Sequence, residues 1–396
     1  MWNLRWKNGL LSLGMILLSF SLPAQVLEDA YFRTEVDKGI FKVYNFQFEA
    51  AHQDFSRLKT KYAHHPAPYF LLALNRWWQS YITSSDVYHD FIEKNLDKAL
   101  ELNEVFEHNK AYRVEYTFFQ YMCYAFHTRL AIEKKEWFTA ANYGRKALPY
   151  LEAGFQMTQE TPEFFFSSGI YHYYAETYPE QHLYVRPFMV FFPDGDAHLG
   201  LQELTKAAGT PNFSQTEAAF YLGDIYLENP QHYAQALRIK QELVEKYPRN
   251  TWFLADYGRA LVIAGHFEKG GEILAGMAEK FEKISGSHDR QIDSRESTLT
   301  SLCMMRVYHY LGREAMEHQH QYQAAIQYFD RSLKMAQLAG LEEEGHLPAN
   351  QYYRGRCLER INQPSQAIEA YEKVLDMDEN EAVAALATQR LASLRR

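Results

Sequence analysis

The sequence predicts an all-α fold, a solenoid of stacked antiparallel helix pairs. Three observations predict it. Apolar residues recur with a helical period along almost the whole chain, as at Val383, Leu386, Leu391 and Leu394, and period-two alternation over a strand's length is hard to find. Proline and glycine fall between the periodic runs, with Pro66, Pro162, Pro179, Pro193, Pro211, Pro230, Pro248 and Pro348 as punctuation. Small residues also return at fixed intervals in the C-terminal half. The pattern amounts to about sixteen helices joined by short loops.

The N-terminus comes first. Arg5 and Lys7 precede an apolar run over 10–22, and Pro23-Ala24 then leads to the polar Gln25. Basic, apolar and small-residue regions in that order describe a secretory signal peptide, and the apolar run is shorter than the roughly 20 residues a membrane span needs. Cleavage is expected between Ala24 and Gln25. Residue 25 is not cysteine, so there is no acceptor for lipid attachment. The expected compartment is a bacterial periplasm or the outside of the cell. Residues 188–192 form the most apolar later run, far below spanning length.

The chain of 396 residues carries a formal charge of −9, which becomes −11 without Arg5 and Lys7. Such a balance argues against nucleic acid, which calls for clustered Lys and Arg. Cys123, Cys303 and Cys357 are odd in number and far apart, which fits small buried hydrophobes better than a disulfide framework.

Internal repetition organises the rest. Residues 219–248 carry Gly223, Tyr226, Ala236, Leu243 and Pro248; residues 252–282 carry Gly258, Leu261, Gly270, Leu274 and Met277; residues 351–379 carry Gly355, Leu358, Ala367, Tyr371 and Val374. Spacings from the leading glycine are identical in the last two, and one residue is inserted near Asn229-Pro230 in the first. Looser copies contain Gly312 with Ala325 and Phe329, and Ala51 with Phe55 and Leu58. A glycine on the first helix lets the second lie close, and a large side chain on the second fills the contact with the next pair.

These residues resemble the tetratricopeptide (TPR) repeat, whose period is about 34 residues. The resemblance implies a right-handed superhelical solenoid of helix pairs. It divides the chain into N-terminal TPR-like helices over 25–83, an aromatic-rich helical insert over 84–210 and a C-terminal array over 211–396 with a terminal capping helix. As a whole the chain resembles exported bacterial repeat proteins that carry such aromatic inserts. In the insert, 178–196 reads as a long loop containing Tyr178, Tyr184, Phe188, Phe191 and Phe192. An aromatic loop needs a cover, either the helix at 163–175 or a partner.

Catalytic signatures are missing: the sequence has no His-Glu-x-x-His, no Gly-x-Ser-x-Gly, no phosphate-binding glycine loop and no Cys-x-x-Cys. Asp194-Gly195-Asp196 lacks the remaining calcium ligands, and Asp196 reads instead as a helix cap. His64-His65 precedes a proline and reads as a solvated turn. The expectation is therefore a non-catalytic protein- or peptide-binding scaffold of the cell envelope, with no cofactor and no metal. The alternative is a small-molecule or glycan-binding module that uses the aromatic insert. Candidate binding residues are Trp77, Trp78, His172, His182, Arg186 and Phe191. A closed pocket lined by Trp77 or Trp78 and His172 favours the module. An open groove lined by polar first-helix residues favours the scaffold.

Overall fold

The structure is a computed structural model that describes residues 25–83, 85–181, 186–189, 192–286, 300–340, 346–377 and 381–395. The expected signal segment, His182 and Phe191 lie outside the described residues. Among those described there is no strand, and eighteen α-helices follow one another. They are α1 (Ala30–Tyr44), α2 (Phe48–Lys61), α3 (Pro66–Thr83), α4 (His89–Asn103), α5 (Arg113–Glu133), α6 (Trp137–Met157), α7 (Phe165–Gln181), α8 (Arg186–Met189), α9 (Ala197–Gly209), α10 (Gln215–Leu227), α11 (Tyr233–Lys246), α12 (Thr251–Ile263), α13 (Phe267–Gly286), α14 (Ser301–Glu317), α15 (Tyr322–Leu338), α16 (His346–Arg360), α17 (Pro364–Leu375) and α18 (Glu381–Leu394). No described helix is long and apolar enough to cross a membrane.

Successive helices pair: α1 with α2, α3 with α4, α5 with α6, α7 with α9, α10 with α11, α12 with α13, α14 with α15 and α16 with α17, while α18 packs on α17. The close approach in several pairs rests on one glycine. A Cβ on Gly258 would meet Leu274 at 2.8 Å, and one on Gly355 would meet Tyr371 at 2.6 Å. Gly39 repeats the arrangement against Phe55, with the same sixteen-residue spacing, so the N-terminal pair is built like the C-terminal ones. In the copy with the insertion, Lys240 occupies the large-residue position opposite Gly223. It is 1% exposed, bonds Asp224 at 2.8 Å and also pairs with Asp256.

The coil turns far enough for its beginning to meet α11 and α12. The Asn250 side-chain amide donates to the Tyr44 carbonyl at 2.8 Å, and the Arg249 N–H donates to Asn45 Oδ1 at 3.2 Å. Tyr44 packs on Tyr247 and Phe253 with ring centroids 5.3 and 6.0 Å apart, and Tyr81 meets Trp252 at 6.0 Å. Tyr44 and Ile82 accordingly share a core with residues of α10 to α14.

Two expectations need correction. The stretch 178–196 is not an irregular loop throughout, because α7 runs past Pro179 to Gln181 and α8 follows. The chain after α8 folds back on α7: the Tyr171 hydroxyl donates to the Pro193 carbonyl at 2.7 Å, and the Asp196 N–H donates to the His172 carbonyl at 3.0 Å. Tertiary contacts there override the local proline signal. Gly195 is essential to that fold-back, since a Cβ would lie 2.4 Å from the Glu176 nitrogen. Asp196 does cap α9, accepting from the Leu199 N–H at 2.8 Å.

The second correction concerns His65. His64 is exposed as expected, but His65 is fully buried. Its Nδ1 accepts from the Ala67 N–H, and its Nε2 faces Glu115 at 3.2 Å. Glu115 also accepts from the Leu27 N–H at 2.6 Å, so the histidine helps tie down the N-terminal segment. Adjacent identical residues leave a helix-start turn in opposite directions, which the pair of letters cannot show. Cys123, Cys303 and Cys357 are free and buried.

Candidate functional site: an aromatic cavity

Because the first helices of the coil meet the start of α12, its inner surface frames a cavity of about 200 Å³. Close-packed interiors hold few voids larger than a water molecule, so this space is a feature of the architecture. Its walls come from α1, α3, α5, α7, α10, α12 and α14. Most are aromatic, including Tyr44, Trp77, Trp78, Tyr81, Phe166 and Trp252.

The residues on α3 show how local sequence builds the wall. Trp77 and Trp78 are adjacent, so they point about 100° apart around the helix. Trp77 is fully buried and its indole N–H donates to Glu133 at 2.9 Å. Trp78 turns toward Tyr44, with ring centroids 5.5 Å apart. Tyr81 lies one turn on from Trp77 and stacks on it at 5.3 Å and 19°. The ladder continues to Trp252 on α12, some 170 residues away in sequence.

A guanidinium closes each end of this ladder. Arg129 lies 4.1 Å from the Trp77 ring centre, and Arg306 lies 4.2 Å from that of Trp252. Both line the cavity. Cation–π stacking of this kind orients a guanidinium while leaving its N–H groups available. The Arg306 Nε and the Trp78 Nε1 are buried donors with no protein partner, while the Tyr44 hydroxyl and the Glu217 carboxyl face one another. All four belong to cavity-lining residues. Buried polar atoms are normally satisfied, and donors without partners beside one cavity can supply a ligand's hydrogen bonds.

Two carboxyl groups face the same space. Asp224 is neutralised from behind by Lys240 and Arg259. Burial pushes the Glu217 carboxyl above its ordinary range, against the opposing pull of the Tyr44 hydroxyl and Arg129. Behind the wall, Asp256 is also buried, but Arg259 and Lys240 outweigh that burial and hold its carboxyl at about 2.

The sequence-predicted residues divide. Trp77 and Trp78 stand together on the cavity wall. His172 does not line it: the ring bonds Glu203 at 3.0 Å and packs on Phe155 at 4.5 Å. Its role there is to join α7 to α9. Arg186 donates to the Pro179 carbonyl at 3.0 Å and stands with α8, away from the cavity. Of the consecutive phenylalanines, Phe164 is fully buried, Phe165 lies under Lys206 and Phe166 faces the cavity. Sequence reasoning missed Arg129, Arg306, Glu217 and Trp252. Only the Trp77–Tyr81 spacing carried a local signal, because the other wall residues come from helices brought together by the curvature of the coil. Among the described residues, no group of three or more His, Cys, Asp or Glu is placed to hold a metal ion.

No family model and no curated protein matches the chain. Solved structures with a similar course include the human IFIT1 dimer with PPP-AAAA, at 15% identity and a TM-score of 0.41, covering 84% of this chain and 69% of that one. The C-terminal part of a TPR repeat-containing protein from Cytophaga hutchinsonii matches at 12% identity and a TM-score of 0.26, covering 88% of this chain and 98% of that one. The TPR domain of P58(IPK) matches at 12% identity and a TM-score of 0.25, covering 91% and 97%. The assignment of architecture rests on this chain's own packing. Gly39 against Phe55, Gly258 against Leu274 and Gly355 against Tyr371 make it an all-α solenoid of repeated helix pairs, the packing that the sequence's resemblance to the tetratricopeptide repeat implies.

Proposed function

We propose that this chain is a non-catalytic binding module whose inner cavity takes a small organic molecule. The observation that carries the reading is the coincidence of an aromatic cavity with two buried N–H donors that lack a protein partner. Pockets for small ligands are mostly apolar with a few convergent polar groups. The inner surface is lined by rings and not by the polar first-helix residues that an open peptide groove would present. A space of this size suits a compact molecule better than a run of sugars.

The test is to denature protein purified from its native host and identify released compounds by mass spectrometry. In parallel, unfolding of the purified chain is followed with a panel of aromatic and aliphatic compounds. A stoichiometric compound, or a saturable rise in thermal midpoint, supports the reading. Absence of both defeats it.

A second reading has its own observation. Repeat solenoids present extended surfaces to other proteins, and Trp137 and Phe138 at the start of α6 are 65% and 94% exposed. The proposal is a protein or peptide partner in the bacterial envelope, reached by export after cleavage at Gln25. Pull-down from envelope extracts, compared with Trp137→Ser/Phe138→Ser, tests the partner. Intact mass of protein from that fraction tests the export, and a retained Met1 there would refute it.

A further inference from the structure

The geometry points to an organic anion as the ligand: a compact, ring-bearing acid whose body lies on the Trp77–Tyr81–Trp252 ladder and whose carboxylate meets Arg306 at the Trp252 end. This inference rests on the binding-module reading above and narrows it. Three observations carry it.

Arg129 and Arg306 are cavity cations without a close counter-charge: Glu133 and Glu217 act on Arg129, and Asp256 on Arg306, only from beyond ion-pair distance. Their described contacts are stacking contacts on Trp77 and Trp252, and neither forms an ion pair or a hydrogen bond with a described residue. Elsewhere in this protein interior cations are paired: Lys240 has Asp224 and Asp256, and Arg259 has the same two. A buried guanidinium with no carboxylate in contact is unfavourable, so Arg306, whose Nε also lacks a partner, fits a ligand that brings a close counter-charge.

The carboxyl groups facing the cavity do not supply it. Asp224 is already shared between Lys240 and Arg259. The Glu217 carboxyl is raised above its ordinary range by burial and is already engaged by the Tyr44 hydroxyl.

The polar atoms without partners include two obligate donors, Trp78 Nε1 and Arg306 Nε. Two N–H donors set among rings recognise acceptor oxygens, and guanidinium matches a carboxylate in two-point geometry. The ladder itself offers ring faces, so the body of the ligand is flat and apolar.

Calorimetric titration of the purified chain with 2-naphthoate and with its uncharged analogue 2-naphthamide tests this. The expected result is one site per chain for 2-naphthoate, at least tenfold tighter than 2-naphthamide. Arg306→Gln should weaken 2-naphthoate at least fivefold and leave 2-naphthamide within twofold, with unchanged far-ultraviolet circular dichroism. Arg306→Lys, which keeps the charge, should fall between wild type and Arg306→Gln. Equal affinity for the two compounds, or tighter binding of the amide, would overturn the anion assignment and leave the cavity reading standing. Binding of 2-naphthoate that Arg306→Gln does not weaken would overturn it also. If neither compound binds, the cavity reading itself fails with it.

Discussion

The side chain of Asn250 donates to the main-chain carbonyl of Tyr44 at 2.8 Å, joining positions 206 residues apart. The same side chain caps α12 by accepting from the Phe253 N–H at 2.9 Å. One buried asparagine therefore both starts α12 and fastens it to the end of α1 beside the cavity. Replacing it by alanine removes a cap and leaves a buried carbonyl without a donor, and should cost about 2–4 kcal/mol together. Asn250→Ala should lower the urea midpoint and raise acrylamide quenching of tryptophan, because Trp78 and Trp252 stand beside the opened seam. Unchanged quenching would show that the seam does not close the cavity.

Glycine substitutions should change sign with the space around them. Gly258→Leu and Gly355→Leu drive a side chain into Leu274 and Tyr371, and should each destabilise by about 1–3 kcal/mol or more. Gly276 on α13 has nothing within 4 Å of an added Cβ. Gly276→Ala should therefore stabilise by up to about 1 kcal/mol through helix propensity alone. Thermal denaturation of the three variants checks the register of the pairs. Loss of stability in Gly276→Ala, or none in the other two, would contradict it.

Lys240 is the interior counter-charge of Asp224 and Asp256. Lys240→Met leaves a buried carboxylate short of a partner and should cost about 3–5 kcal/mol. Adding Asp256→Leu should recover part of that loss, since Arg259 still pairs with Asp224. Urea unfolding of the single and double variants decides the point. A double variant no more stable than Lys240→Met would show that the aspartate is not what the lysine neutralises.

His309 supplies a pH signature. Burial, aided by Arg313 and opposed by the hydrogen bond to Asn350, lowers its value from 6.5 to about 4. The unfolded chain therefore binds a proton that the folded one refuses. Stability from this group is fully present above 6.5 and is lost as pH falls through about 4, amounting to about 3 kcal/mol. Unfolding free energies measured from pH 4 to 7 should decline less steeply on the acid side in His309→Gln than in wild type. Parallel curves would show that His309 titrates normally.

The all-helical character, the pairing of helices and the glycine contacts at Gly258 and Gly355 were legible in the sequence, because each depends on residues close together in the chain. Periodicity and spacing are local quantities, and they survive whatever the coil does as a whole. The Gly39–Phe55 pair obeys the same sixteen-residue rule, yet its neighbours carry too little of the repeat for the eye to find it. The two faces demanded by Trp77 and Trp78 were also readable, since adjacent residues on a helix cannot share one. What those faces meet was decided by tertiary structure alone. A small rotation at each helix pair accumulates until Tyr44 reaches Asn250 and Tyr81 reaches Trp252. Only that accumulated curvature places Arg129, Arg306 and Glu217 around one cavity and sends His172 to Glu203 instead, because no local pattern records the sum of many small angles.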